Sequence, residues 1–408
     1  MSIETKQKKQ FWVILTIVFL GFLGISIPYL IFPALFLNPA YLIIPTHWSD
    51  ASRAIFLGIT LASYPLGQFI GSPILGSLSD DYGRKGMLSG SLLISAFCNL
   101  CTGFAIEWQN LELLILSRFM AGIMEGNIAI ARAMAADLTT ISKHKAFGKI
   151  NAAASIAFLL GPLLGGLLTD KNLYAGFTIS TPFHYICILF FCLAGLSSVI
   201  LEKSVTTLKG KTRGFWQRIN LFKRMATLFT NHRLKFLLIT STCFTLAVDI
   251  FYEFGPVYLT LKWTLGPPQL IFYNAILCLG LAIGNGWLPT FVSARVSNRL
   301  AILYSIAIFP IFIIGMVLTN SPALMMVLFG LSGLLIGLVV TLLTVKISNS
   351  VEDDIQGEVM GVQISLRVLG DALICLLGGV LLLVSAKLIL VASAIIAVSS
   401  MIYYGLKA

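Results

Sequence analysis

Charge is what this sequence has least of. Only 11% of its 408 residues are charged and 57% are hydrophobic, where soluble domains carry about 25% charged residues. With a mean hydropathy of +0.92, that apolar content exceeds what one water-soluble core can bury, so lipid is the solvent for most of the chain. Histidine is scarce at four residues. There is no H-E-x-x-H, G-x-S-x-G or P-loop pattern, which argues against a membrane hydrolase or an intrinsic ATP drive. The seven cysteines (Cys98, Cys101, Cys187, Cys192, Cys243, Cys278, Cys375) lie in apolar runs. Beyond one C-x-x-C at Cys98 they lack zinc or disulfide spacing and read as small buried hydrophobes. No cofactor and no metal is expected.

The apolar runs set the fold class. Taking about 20 residues per crossing, twelve spans are expected near residues 11–37, 54–76, 87–106, 112–136, 148–169, 182–201, 236–261, 269–291, 300–318, 322–345, 358–384 and 388–405. Lys6, Lys8 and Lys9 precede the first run as in a signal peptide, but no small-residue cleavage site follows, so this run reads as an uncleaved span. The net charge of +11 does not suggest nucleic acid, because the cations sit in short connections and form no continuous face. Of the 28 lysines and arginines, twenty-one fall on the side holding the termini, whereas Arg53, Lys171, Lys262 and Lys387 fall on the other. The positive-inside rule then puts both termini in the cytoplasm of a multi-pass cell (inner) membrane protein.

One long connection, 202–235, carries nine of those cations and reads as a solvated linker lying on anionic headgroups. It divides the chain into expected six-helix bundles at 1–201 and 236–408. Gly148, Gly165 and Gly166 stand 213 positions before Gly361, Gly378 and Gly379, as in a duplicated transporter. The solute site is expected between the bundles.

The connection after the second span reads Gly76-Ser77-Leu78-Ser79-Asp80-Asp81-Tyr82-Gly83-Arg84-Lys85. Gly76 would let another helix approach, Asp80 would face a cation or a helix N-terminus, and Gly83 would permit a tight turn. The stretch resembles the signature of the major facilitator superfamily, G-x-L-x-D-x-x-G-R-K, with Asp81 where the family usually has a basic residue. Arg118, Ala121-Gly122 and the run to Asp137 are similar to the drug:proton antiporter branch and to tetracycline efflux proteins. Ala121 stands in place of the family's glutamine. Gly161-Pro162-Leu163-Leu164-Gly165-Gly166 resembles the antiporter motif of that branch and would bend the fifth span. The resemblance implies an all-α fold of twelve transmembrane helices in two bundles. It also implies a cytoplasmic lock made by Asp80, Arg84 and Asp137, and an influence of Arg118 on proton movement.

Ionisable residues inside spans are costly and so are functional candidates. They are Arg118, Glu125 and Arg132 in span four, Asp249 and Glu253 in span seven, and Arg367 and Asp371 in span eleven. Glu125 reads as a proton site or as the partner of Arg132. Asp249 and Glu253 share a helix face, so at least one would hold a proton unless Glu253 is hydrated at the outer interface. Arg367 and Asp371 are spaced to pair with each other. Asn127, Tyr252 and Asn274 offer neutral hydrogen bonds. The expected function is proton-coupled export of a small drug-like or amphipathic solute by a monomer; the alternative is proton-coupled movement of a nutrient or siderophore.

Overall fold

The computed structural model describes residues 3–41, 43–45, 48–136, 138, 143–202, 231–350 and 356–407. These residues form helices: α1 (Ile3–Ser26), a 3₁₀ turn (Ile27–Leu30), α2 (Ile31–Leu37), α3 (Asp50–Tyr82), α4 (Arg84–Glu107), α5 (Leu111–Met124), α6 (Gly126–Ala136), α7 (Lys143–Leu167) and α8 (Thr181–Ile200). After the basic connection come α9 (His232–Trp263), α10 (Pro267–Gly286), α11 (Leu288–Ser293), α12 (Asn298–Leu318), α13 (Pro322–Ser348), α14 (Gln356–Leu381) and α15 (Ala386–Lys407). No strand occurs among the described residues. Helices suit such a chain because each backbone N–H and C=O is satisfied within the segment, which hydrocarbon demands.

Local chemistry sets the helix ends. Asn231 caps α9 by accepting from the Arg233 and Leu234 amides at 3.1 and 3.2 Å, Ser297 caps α12, and prolines open α8, α10 and α13. Eleven stretches among the described residues are long and apolar enough to cross a bilayer, against the twelve expected. The difference falls on α7, where Ile156–Leu167 is a shorter apolar stretch among the described residues.

The chain separates into two compact units. The first comprises Met1–Thr46 and Ser63–Asn220, and the second His47–Ala62 and Leu221–Ala408. In the first, α1 packs on α7, α4 packs on α5 and α8, and α1 also touches α6 and α8. In the second, α10 packs on α13, α9 on α14 and α15, and α12 on α13 and α15. Sequence continuity would put residues 47–62 in the first unit, but their contacts lie in the second. A Cβ on Gly58 would sit 2.7 Å from the Cys375 carbonyl oxygen and from the Cα of Gly379, so two glycines let these backbones touch. The expected linker 202–235 is described only at its ends.

Both units share one kind of helix crossing. Side chains on Gly67 and Gly71 of α3 would strike the backbone of α5 at Phe119 and Ile123, and one on Gly122 would strike the Tyr64 carbonyl. In the second unit, side chains on Gly280 and Gly284 of α10 would strike the Gly330 and Leu334 carbonyls of α13, and one on Gly333 the Leu277 carbonyl. Close backbone approach of this kind is how spans pack where lipid supplies no hydrophobic drive.

Candidate functional site

In the first unit the charged centre forms where the fourth span is interrupted. Asn110 caps α5 by accepting from the Leu113 amide at 2.9 Å. The helix ends at Met124 and α6 begins at Gly126. Between them the Glu125 amide donates to the Gly122 carbonyl and the Glu125 carbonyl accepts from the Ile128 amide, both at 3.0 Å, a locally tightened turn. A Cβ on Gly126 would lie 2.7 Å from the Leu75 Cβ and 3.1 Å from the Gly71 carbonyl oxygen, so α3 bears directly on the break.

Arg118 and Glu125 are each 3% exposed. The Arg118 guanidinium carbon lies 4.5 Å from the Tyr64 ring centroid and 5.4 Å from that of Phe32, a cation–π arrangement away from water. Tyr64 donates its hydroxyl to Glu125 Oε2 at 2.7 Å. The charges of Arg132 and Arg118 both bear on Glu125. Among the described residues, Glu125 Oε1, Arg118 Nε, Arg132 Nε and both side-chain polar atoms of buried Asn127 have no hydrogen-bond partner. Buried polar atoms are ordinarily satisfied, so this region retains donors and acceptors for a proton, water or solute.

In the second unit the centre spans α9 and α14. Asp249 and Glu253, one turn apart on α9, are 3% and 5% exposed, which removes the reading of Glu253 as a hydrated interfacial group. Arg367 on α14 donates to Asp249 through Nη2 to Oδ1 at 2.6 Å and through Nε to Oδ2 at 3.0 Å. This forked pair runs between helices, whereas the sequence spacing suggested Asp371 on the same helix. A carboxylate facing from a neighbouring helix can meet the planar guanidinium end-on with two parallel bonds. Glu253, Asp371 and Cys375 bring a ligand atom each within 4.8 Å of one another. Cys375, read from sequence as inert core, is thus buried among carboxylates. Asn274 donates to Cys278 Sγ on its own helix at 3.3 Å, and Tyr252 lies partly buried beside Asp249 and Glu253 in sequence.

The signature connection turns at Gly83, whose φ of +98° favours glycine, and Arg84 and Lys85 open α4. Asp80 lies in the last turn of α3 and its side chain, like the whole of Asp137, falls outside the described residues. At Gly76 an added Cβ would meet nothing within 4 Å among the described residues. In α7, side chains on Gly161 and Gly165 would collide with Ser26 and with the Ile27 carbonyl of the first span, Pro162 is inside the helix, and Gly166 is buried. Sequence reasoning missed Tyr64 as the partner of Glu125. It also missed the glycine crossing, although Gly67-x-x-x-Gly71 was there to be read.

An all-helical chain with eleven described spans and a buried charged centre in each unit is a multi-pass membrane protein. The Major Facilitator Superfamily pattern matches residues 14–374, and the chain belongs to that superfamily. It is 32% identical over 203 residues to multidrug resistance protein 2 of Bacillus subtilis (strain 168), covering 49% of this chain and 46% of that protein. It is 34% identical over 142 residues to the class H tetracycline resistance protein of Pasteurella multocida, covering 35% of each. The chain thus spans about half the length, or less, of these curated relatives. Among solved structures, a bacterial homolog of the human lysosomal transporter Spinster, inward-facing and occupied, aligns with a TM-score of 0.73 at 14% identity over 97% of this chain and 95% of that one. The human organic anion transporter MFSD10 aligns at 0.67 and 17% identity, over 99% and 100%. These likenesses establish the major facilitator fold.

Proposed function

We propose that this protein is a proton-coupled antiporter that exports a small drug-like or amphipathic solute across the cell (inner) membrane as a monomer, with both termini cytoplasmic. The observation that carries this reading is the α9–α14 centre, where Arg367 forks onto Asp249 and the carboxylates of Glu253 and Asp371 come together beside Cys375. Two carboxylates held this close repel when both are ionised, so a proton shared there lowers the cost of keeping them buried. A proton taken up here favours one conformational state and solute favours the other, which is alternating access by differential affinity. The names of the multidrug and tetracycline resistance relatives support the solute class. In this reading Asp80, Arg84 and Asp137 hold the cytoplasmic side closed, with Gly83 and Lys85 shaping the turn, and Arg118, Glu125 and Arg132 form a second charged station.

Everted vesicles test the coupling. Wild type is expected to release protons when a transported drug is added, and Glu253→Gln and Asp371→Asn are expected to abolish that release while leaving drug binding measurable. Equal proton release by wild type and both variants would sink the assignment.

A further inference from the structure

The groove between α12 and α15 in the second unit is unlike the tight crossings elsewhere. It has a volume of about 570 Å³ and is lined by Ala307, Pro310 and Ile314 on α12 and Ala394, Ile395 and Val398 on α15. Two alanines and a proline leave this space because their side chains are too short to fill it. The hydroxyl of nearby Ser399 donates to the Ile395 carbonyl of its own helix at 2.9 Å, so the groove presents hydrocarbon and no free polar side chain. Both helices are long and apolar enough to cross a bilayer, so an acyl chain matches the chemistry of this groove.

One end of the same helix pair is cationic. Lys346, at the end of α13, donates to the Tyr404 hydroxyl on α15 at 2.8 Å. Arg233 at the start of α9 and Arg299 at the start of α12 lie close enough for their charges to bear on Lys346, and Arg299 on Tyr404. Phe236 stacks on Tyr404 at 5.6 Å, and Gly405 comes against Leu303, so the four helices converge here. Arg233 and Arg299 are exposed and Lys346 is half-buried. Among the described residues none of the three forms an ion pair with a carboxylate. Like charges gathered from three helices repel unless an anion answers them. Arg299 stands eight residues before Ala307, about 12 Å along α12, which is within the span of one lipid from phosphate to chain.

We propose that this end of the second unit binds one anionic phospholipid, its phosphate held by Arg233, Arg299 and Lys346 and an acyl chain laid in the α12–α15 groove. Basic pockets between spans are a known basis for headgroup selection.

Native mass spectrometry of the full chain, delipidated and then offered phosphatidylglycerol or phosphatidylethanolamine with identical chains, tests this. Wild type is expected to retain phosphatidylglycerol preferentially, by roughly fivefold for each contributing cation. The triple variant Arg233→Gln, Arg299→Gln, Lys346→Gln should lose the preference, and Arg299→Gln alone, checked for an unchanged melting temperature, should weaken it. Ala394→Phe, which fills the groove, should reduce retention of both lipids. Lys387→Gln, at the other end of α15, should change nothing. Glycerol phosphate should not displace the lipid; displacement would identify a free-phosphate site and overturn the proposal. Equal retention of the two lipids by wild type, or a preference that survives the triple substitution, would also overturn it. The acidic stretch Glu352, Asp353 and Asp354 lies outside the described residues. If neutralising it created the preference where wild type has none, those carboxylates would be the counter-charge and the lipid assignment would fail.

Discussion

In the first unit Gly67 and Gly71 bring α3 against α5 and α6 at Gly122 and Gly126; in the second, Gly280 and Gly284 bring α10 against α13 at Gly333 and Gly337. The first row of glycines repeats after 213 residues and the second after 211. The charges do not repeat with them. Shifted by 211, Arg118, Glu125 and Arg132 fall on Phe329, Ile336 and Leu343; shifted back by 213, Asp249, Arg367 and Asp371 fall on Phe36, Ala154 and Phe158. Phe329, where Arg118 would have its counterpart, packs its ring against Phe251 and Tyr273 at 5.0 and 5.7 Å. The same scaffold therefore carries two arginines and a glutamate in one unit and three carboxylates with one arginine in the other, on different helices. Backbone contact in lipid leaves no choice of side chain at the crossing, whereas positions facing away from it are free to differ.

The largest effect expected from breaking this comparison is at the shared crossing. Gly71→Val and Gly284→Val each drive a side chain into backbone that cannot rotate away, and each should cost about 3 kcal/mol or more, read as lost folded yield and a lower melting temperature in detergent. Similar losses in both units would support equivalence of the crossings; a loss in only one would break it.

Next comes the forked pair of the second unit. Arg367→Gln leaves Asp249 buried without its partner and should cost about 2 kcal/mol, toward the lower end for a broken buried pair because the arginine is half-exposed. Adding Asp249→Asn should recover much of that loss. A double variant no more stable than the single would mean that the pair is not the unit of stability there.

The smallest effect is expected in the first unit. Tyr64→Phe removes the donor to Glu125 Oε2 and should cost about 1 kcal/mol, while Glu125→Gln, which keeps an acceptor for the tyrosine, should cost less. Thermal unfolding of the two variants side by side checks the order, and the reverse order would show that the charge of Glu125, more than its hydrogen bond, holds α5 and α6 in place.

Much of the fold was legible in the sequence because hydrocarbon admits few solutions. Apolar runs had to be helices, and Gly83 marked a turn. The charged residues of the site could be listed for the same reason, since ionisable groups inside spans stand out against apolar text. Their partners could not be read. Periodicity relates residues on one helix, so it offered Arg367 with Asp371, whereas the fork onto Asp249 depends on how α9 and α14 meet. Tyr64 gave no signal of its own, being an ordinary aromatic residue until α3 is laid beside Glu125. The crossing glycines of α3 and α10 share the 213-residue offset of Gly148, Gly165 and Gly166, but which helices they bring together is not written in that spacing.

Composition and spacing by themselves determined a helical multi-pass membrane protein with a small set of buried charges, because transferring polar backbone or unpaired charge into lipid is too costly to leave many alternatives. Tertiary structure alone decided which charges meet, that residues 47–62 pack with the second unit, that the fourth span breaks at Glu125, and that Cys375 lies among carboxylates. Those outcomes depend on contacts between helices far apart in the chain, which no local pattern encodes.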